Sequence, residues 1–333
     1  MENLSSGNNN IINEKKIKES IQRVINTKKY NHYASPKGIK ELRIEISKLI
    51  NKLWNFKISA SNILITTGSQ QSINLVSDIL LHQGDTILIE QPTYSGTIKI
   101  FRNKSIHMIG INISEDGIDI QALKKAIIQN DPKLIYVVPT FNNPTGYAWE
   151  YENRLAFLSI INQYHITVIE DDPYSMLNFT NQKYDSLYKL NNGKNIIYLG
   201  TFSKLISPSI NVGYIIAESS VINELYQYKE SYDLCTSLFN QYVILDYLEN
   251  NDLQAEINLK IAKYQQLLKN TEYDLKNKYK DNIIIHHPKG GIFLFIKFLN
   301  IPIPPTFENG SNYFISKIDN HYSRVNICCL NDS

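Results

Sequence analysis

Six short runs of β-branched and other apolar residues, spaced along the first two thirds of the chain, constrain its fold more than any other feature. They are Asn62–Thr66, Thr86–Glu90, Leu134–Pro139, Ile166–Asp171, Asn195–Thr201 and Val212–Ala217. Each is nearly continuous in apolar residues, as expected of strands in a sheet covered on both faces. Between them, Gln70–Leu81, Tyr94–Lys104, Ile120–Gln129 and Glu150–Tyr164 carry helical spacing. Strand–helix alternation predicts an α/β domain with a mostly parallel sheet. After Glu218 the character changes. Long helical segments over Ser219–Asn250 and Gln254–Lys278, then a strand pair at Asn282–His287 and Gly291–Phe298, predict a second, smaller α+β unit. The Pro-rich Ile301–Pro305 and Glu308–Asn312 read as loop.

With 333 residues the chain exceeds what one core usually serves, which fits two units. Lys and Arg number 34 against 32 Asp and Glu, and no basic stripe argues for nucleic acid. No apolar run reaches the roughly 18 residues of a membrane span. Met1–Asn13 is Ser/Asn-rich, with no apolar core and no basic leader, so no signal peptide is expected. Cys235, Cys328 and Cys329 form neither a disulfide framework nor a zinc pattern, which predicts a reduced, cytoplasmic protein.

Ligand sites of such sheets lie at the carboxyl ends of the strands, and the chemically suggestive residues fall there. Lys204, in Thr201-Phe202-Ser203-Lys204, follows a buried strand; a desolvated lysine is a nucleophile for a carbonyl, though most lysines only meet water. Glu170-Asp171-Asp172 ends another strand and needs cations or donors; helix capping would serve as well as a cofactor's protonated ring nitrogen. Asn143, in Asn143-Pro144-Thr145-Gly146, can donate to an oxyanion or simply belong to a turn. Gly68-Ser69-Gln70 opens a helix, where backbone N–H groups favour a phosphate. Tyr94 can stack on a flat ring or fill the core, and Arg324 can grip a carboxylate or make a surface ion pair. Taken singly, each has a plain structural reading. Together they supply what is needed to hold an aromatic aldehyde phosphate and use it as an electron sink.

At this point the chain resembles the class I and II aminotransferases of fold type I, which use pyridoxal 5′-phosphate, and within them the 2-aminoadipate and aromatic aminotransferases and the aminotransferase-like half of MocR regulators. The likeness rests on Tyr33-Ala34-Ser35-Pro36-Lys37-Gly38, Gly68-Ser69-Gln70-Gln71, Gln91-Pro92-Thr93-Tyr94, Asn143-Pro144-Thr145-Gly146, Asp171-Asp172-Pro173-Tyr174, Gly200-Thr201-Phe202-Ser203-Lys204 and Gly290-Gly291-Ile292-Phe293, in order and at matching spacing. It implies a large domain at 30–240 with a mostly parallel seven-stranded sheet between helices, a shortened arm at 1–29 and a shortened small domain at 241–333. It also implies the roles. Lys204 would link to the cofactor aldehyde and later move a proton, and Asp171 would pair with the ring nitrogen. Asn143 and Tyr174 would bind the phenolate oxygen, with Tyr94 stacked on the ring. Gly68, Ser69, Gln70, Thr201 and Ser203 would hold the phosphate, joined by Tyr33 from a partner subunit, hence a homodimer. Arg324 would bind the substrate α-carboxylate, and Asn143 would also contact the substrate. The substrates would be an α-amino acid and a 2-oxo acid.

One departure stands out. Where the family carries a phosphate-binding arginine this chain has Asn211, which keeps a donor and removes a charge. A charge-assisted bond is worth roughly 1.5–3 kcal/mol, so cofactor affinity is expected to fall by about 10- to 100-fold. The same framework could also serve a lyase, decarboxylase or oxidase, or a non-catalytic cofactor-binding protein.

Overall fold

The computed structural model describes residues 11–316 and 321–329; the Ser/Asn-rich stretch 1–10 and the side chain of Cys329 lie outside them. In chain order the strands are β1 (Ile63–Thr66), β2 (Thr86–Gln91), β3 (His107–Ser114), β4 (Gly117–Ile118), β5 (Leu134–Val137), β6 (Thr167–Asp172), β7 (Ile196–Thr201), β8 (Gly213–Ile216), β9 (Ile283–His286), β10 (Phe293–Phe298), β11 (Glu308–Asn309) and β12 (Tyr322–Asn326). The helices are α1 (Glu14–Thr27), α2 (Lys40–Trp54), α3 (Gly68–Leu80), α4 (Ser95–Asn103), α5 (Ile120–Asn130), α6 (Tyr151–Tyr164), α7 (Leu187–Leu190), α8 (Ser219–Asp233), α9 (Leu238–Asn250) and α10 (Leu253–Tyr279).

The first eight strands form one sheet in the order β1-β8-β7-β6-β5-β2-β3-β4. Strands β2, β3, β5, β6 and β7 run parallel, β8 lies antiparallel between β1 and β7, and β4 closes an antiparallel hairpin with β3. The sheet is α/β and mostly parallel as expected, but it has eight strands rather than seven, because the two-residue β4 adds an edge. The expected runs omitted β3, whose sequence HMIGINIS alternates polar and apolar residues. It stands toward that edge and is only partly buried, so it lacks the continuous apolar run of its neighbours.

Alternation along the strands divides the core into two layers. Leu64, Ile87, Ile89, Leu134, Tyr136, Ile169 and Leu199 join Ile73 and Val76 of α3, Phe101 of α4 and Leu225 of α8 on one face. Ile63, Ile65, Leu88, Ile135, Val168, Ile196 and Tyr198 join Leu42, Ile46 and Trp54 of α2 and Phe157 of α6 on the other. This explains why the strands read as unbroken apolar runs: both faces meet helices.

The expected single helical segment Ser219–Asn250 is two helices. Leu234 takes a left-handed φ of 58°, and Ser237 caps α9 by accepting from the Asn240 N–H. Helix α9 packs on α1 and α2, and α10 leads to a second, antiparallel sheet of order β11-β12-β10-β9. The stretch 308–312 is not plain loop: β11 pairs with β12, and a 3-10 turn covers Gly310–Tyr313.

Candidate active site

The carboxyl ends of β5, β6 and β7, the start of α3 and the second sheet enclose a cavity of about 430 Å³. Lining it are Gly68, Ser69, Gln70, Tyr94, Asn143, Asp171, Tyr174, Thr201, Ser203, Lys204, Asn211 and Arg324. Every residue singled out from the sequence is therefore brought together except Tyr33, which is 83% exposed and stands apart from the cavity.

Strand alternation sorts the three acids that end β6. Glu170 and Asp172 share a face. Glu170 accepts from the N–H groups of Leu187 and Tyr188, both at 2.8 Å, and so caps α7. Asp172 accepts from the Tyr198 hydroxyl at 2.8 Å and the Ser175 N–H at 2.8 Å. Glu170 follows the capping reading of the sequence, whereas Asp172 is held by a tyrosine and by the turn that follows β6. Asp171, between them, projects to the opposite face and into the cavity. Its Oδ2 accepts from the Tyr136 hydroxyl at 2.7 Å. Its Oδ1 is buried and completes no hydrogen bond among the described residues. The Ser69 hydroxyl stands near enough to favour the anion without hydrogen-bond geometry, and its own Oγ is likewise unsatisfied. Burial, opposed by the Tyr136 hydrogen bond, pushes Asp171 up to about 7. A buried carboxyl oxygen with no donor is an acceptor awaiting a cationic or N–H group.

Lys204 lies in the turn after β7, whose six residues are all buried. Burial lowers its amine to about 8, with the nearby Arg324 cation adding to the effect and the Cys328 thiol opposing it. Thr201 and Ser203 shape this turn: the Ser203 N–H donates to Thr201 Oγ1 at 3.1 Å, and the Thr201 hydroxyl to Ser203 Oγ at 3.1 Å.

Helix α3 begins at Gly68, so Gly68, Ser69 and Gln70 present first-turn N–H groups to the cavity mouth. Gly68 has φ +77°, and a Cβ there would lie 2.6 Å from Asn211 Oδ1. Asn211 is itself left-handed, at φ 50°, and exposed. Gln70 Nε2 donates to the Tyr94 hydroxyl at 3.1 Å, which steadies the ring across the cavity mouth. On the far side, Arg324 of β12 donates from Nη1 to Asn143 Oδ1 at 3.0 Å. The Arg324 guanidinium carbon lies 4.0 Å from the Phe293 ring centre and 4.9 Å from that of Tyr313.

Sequence reasoning missed two contributors. Tyr136 orients Asp171 from the neighbouring strand; its signal was a hydroxyl inside an apolar strand, one residue before the strand end. Glu308 lines the cavity beside Arg324 and gave no sequence signal, since it belonged to a stretch read as loop.

Residues 1–301 match the family described as aminotransferase class I and II. The chain is 29% identical over 268 residues to an aromatic-amino-acid aminotransferase of Thermococcus litoralis, covering 79% of this chain and 64% of that protein. It is 29% identical over 268 residues to the 2-aminoadipate transaminase of Thermus thermophilus, covering 80% of this chain and 66% of that protein. It thus spans just under two thirds of the length of these relatives. Among solved structures it resembles a kynurenine aminotransferase of Pyrococcus horikoshii, solved in complex with PMP, at a TM-score of 0.91 and 25% identity, over 98% of this chain and 85% of that one. A family match over residues 1–301 of 333, on a cavity that gathers the family's motifs, means that this chain belongs to the class I and II aminotransferases.

Proposed function

We propose that the chain binds pyridoxal 5′-phosphate in this cavity and transfers an amino group from an α-amino acid to a 2-oxo acid. The observation that carries the reading is one cavity holding both a lysine amine lowered to about 8 and a buried carboxyl oxygen to which no described residue donates. Bound there, the cofactor supplies an aldehyde for primary amines and a cationic ring that draws electrons from the carbon beside the substrate nitrogen.

Asp171, held by Tyr136, would accept from the ring N–H and stabilise its positive charge. Asn143 and Tyr174 would donate to the phenolate oxygen, and Tyr94 would stack on the ring. The phosphate is held by the first-turn N–H groups of α3, by Ser69, Gln70, Thr201 and Ser203, and by Asn211 in place of a cation. Lys204, with its lowered basicity, is partly unprotonated near neutral pH and can take and return the proton of the substrate's α-carbon. Arg324 accepts the substrate carboxylate on its planar fork. Tyr33, exposed on its own subunit, would reach the phosphate of a second copy, in a homodimer that shares its sites.

The test is a panel of amino acids given to cofactor-loaded protein with 2-oxoglutarate. Paired formation of the donor's oxo acid and glutamate, with ping-pong kinetics, is expected. Release of CO₂ or uptake of oxygen without an added oxo acid would replace transfer by lyase or oxidase chemistry.

A further inference from the structure

Among the described residues, the charged side chains that line the cavity are Asp171, Lys204, Glu308 and Arg324. The amino-transfer reading gives work to all but one: Asp171 serves the ring nitrogen, Lys204 the aldehyde and the moving proton, and Arg324 the α-carboxylate. Glu308 is left over. It stands directly across from Arg324 in the β11–β12 pairing. Its Oε2 accepts from Arg324 Nη2 at 3.1 Å and from the Tyr313 hydroxyl at 2.6 Å. The Ser323 hydroxyl donates to its carbonyl at 2.7 Å, so backbone and carboxylate are both held in place. With side-chain exposures of 6% for Arg324 and 18% for Glu308, bulk water screens these charges little.

An ionised carboxylate accepts on two oxygens, and the planar guanidinium carries several donors, so Arg324 can hold Glu308 and a substrate α-carboxylate at once. The side-chain bonds that Glu308 makes within the described residues both end on Oε2, which leaves the lone pairs of Oε1 for a ligand. Charges then alternate from the substrate carboxylate to Arg324 to Glu308, and a cation at the end of the substrate's side chain continues the series. We infer that Glu308 is a specificity-determining residue that binds the side chain of the amino donor: the site favours α-amino acids whose side chain ends in an ammonium or another N–H donor over donors of the same size that end in a methyl. Such a substrate is gripped at both ends by one strand pair, its α-carboxylate by Arg324 of β12 and its distal nitrogen by Glu308 of β11. Val138 and Phe293, which also line the cavity, supply apolar surface for its methylenes. A side chain ending in a methyl covers the anion without offering a donor, and the water it displaces from the carboxylate is not replaced. This inference rests on the amino-transfer reading of the cavity and names the class of donor.

The experiment follows single turnovers of the cofactor-loaded full chain without an oxo acid, so that only the donor's side chain is compared. L-ornithine and L-norleucine share one methylene arm and end in an ammonium and a methyl. Binding is read separately, by spectral titration with α-methyl-L-ornithine and α-methyl-L-norleucine, which lack the proton that must move. The unaltered protein should favour the ammonium arm at least about tenfold in both readings, and Glu308→Gln should bring both ratios to within about twofold of one. Glu308→Asp, which keeps the charge, should keep a preference of about threefold or more. Every probe carries the same α-carboxylate, so a change in the grip of Arg324 moves all of them alike and leaves the ratios as they were. Ratios near one in the unaltered protein, or ratios that Glu308→Gln leaves in place, would therefore overturn the role of Glu308. Glu308-dependent binding of α-methyl-L-ornithine, with no amino acid converting the cofactor to its amine form, would instead overturn the amino-transfer reading.

Discussion

Replacing Asp171 with Asn removes one charge and little volume at a position that is 3% exposed. The amide oxygen can still accept from the Tyr136 hydroxyl that now reaches Oδ2 at 2.7 Å, so the strand ends should keep their geometry. What disappears is the anion proposed to face the ring nitrogen of the cofactor. At a separation of 3–4 Å and an effective dielectric near 20, a unit pair is worth about 4–5 kcal/mol. Loss of that stabilisation in the transition state corresponds to roughly a thousandfold or more in rate. The assay is a single turnover, following the absorbance of the bound cofactor after amino acid is added, at saturating cofactor so that occupancy is not limiting. Asp171→Glu, which keeps the charge on a longer arm, should retain far more activity than Asp171→Asn. A rate for Asp171→Asn within tenfold of the unaltered protein, or equal losses for both variants, would refute the charge argument.

Three other outcomes follow from the geometry. Asn211→Arg restores a cation at the phosphate end; against a gain of roughly 1.5–3 kcal/mol stands about 1 kcal/mol for placing a long side chain at φ 50°, so cofactor affinity should rise about threefold to thirtyfold in a fluorescence titration. Lys260, 4% exposed, donates from Nζ to the carbonyl of Leu205 at 2.6 Å, next to Lys204; Lys260→Met leaves that buried carbonyl unsatisfied and should cost about 1–3 kcal/mol in urea unfolding, whereas an unchanged midpoint would contradict this. Burial lifts Asp171 and Glu170 to about 7 and Glu90 to about 8, which favours their neutral forms in the fold; the cofactor-free protein should therefore lose stability as pH rises from 5.5 to 8, and Glu90→Gln should flatten the loss by up to about 1.4 kcal/mol per pH unit. Urea melts across that range would contradict the reasoning if stability rose with pH or if the variant matched the unaltered protein.

How much of this was legible in the sequence depended on whether the physics is local. The strands β1, β2, β5, β6, β7 and β8 were, because two covered faces leave a continuous apolar run. The partly buried β3 was not, since its alternation of polar and apolar residues is weak evidence by itself. Lys204, Asp171 and Asn143 could be found because each ends a strand within a recognisable turn. Which of three neighbouring acids faces the cavity was fixed by the two-residue period of β6, and the resemblance picked the same one. Glu308 was invisible for a different reason. Its role comes from a strand pairing with Arg324, sixteen residues away, across a stretch with no periodic pattern. Tyr136 was hidden by its setting in an otherwise apolar strand, where its ring reads as core and only the neighbouring strand reveals the use of its hydroxyl.

Lys204 is the residue proposed to join the cofactor. Cofactor-loaded protein is reduced with borohydride, digested and analysed by mass spectrometry. The predicted result is a single phosphopyridoxyl adduct on the peptide containing Lys204, absent in Lys204→Ala. An adduct on Lys260, another enclosed lysine whose amine burial lowers to about 8, or no adduct at all, would contradict it.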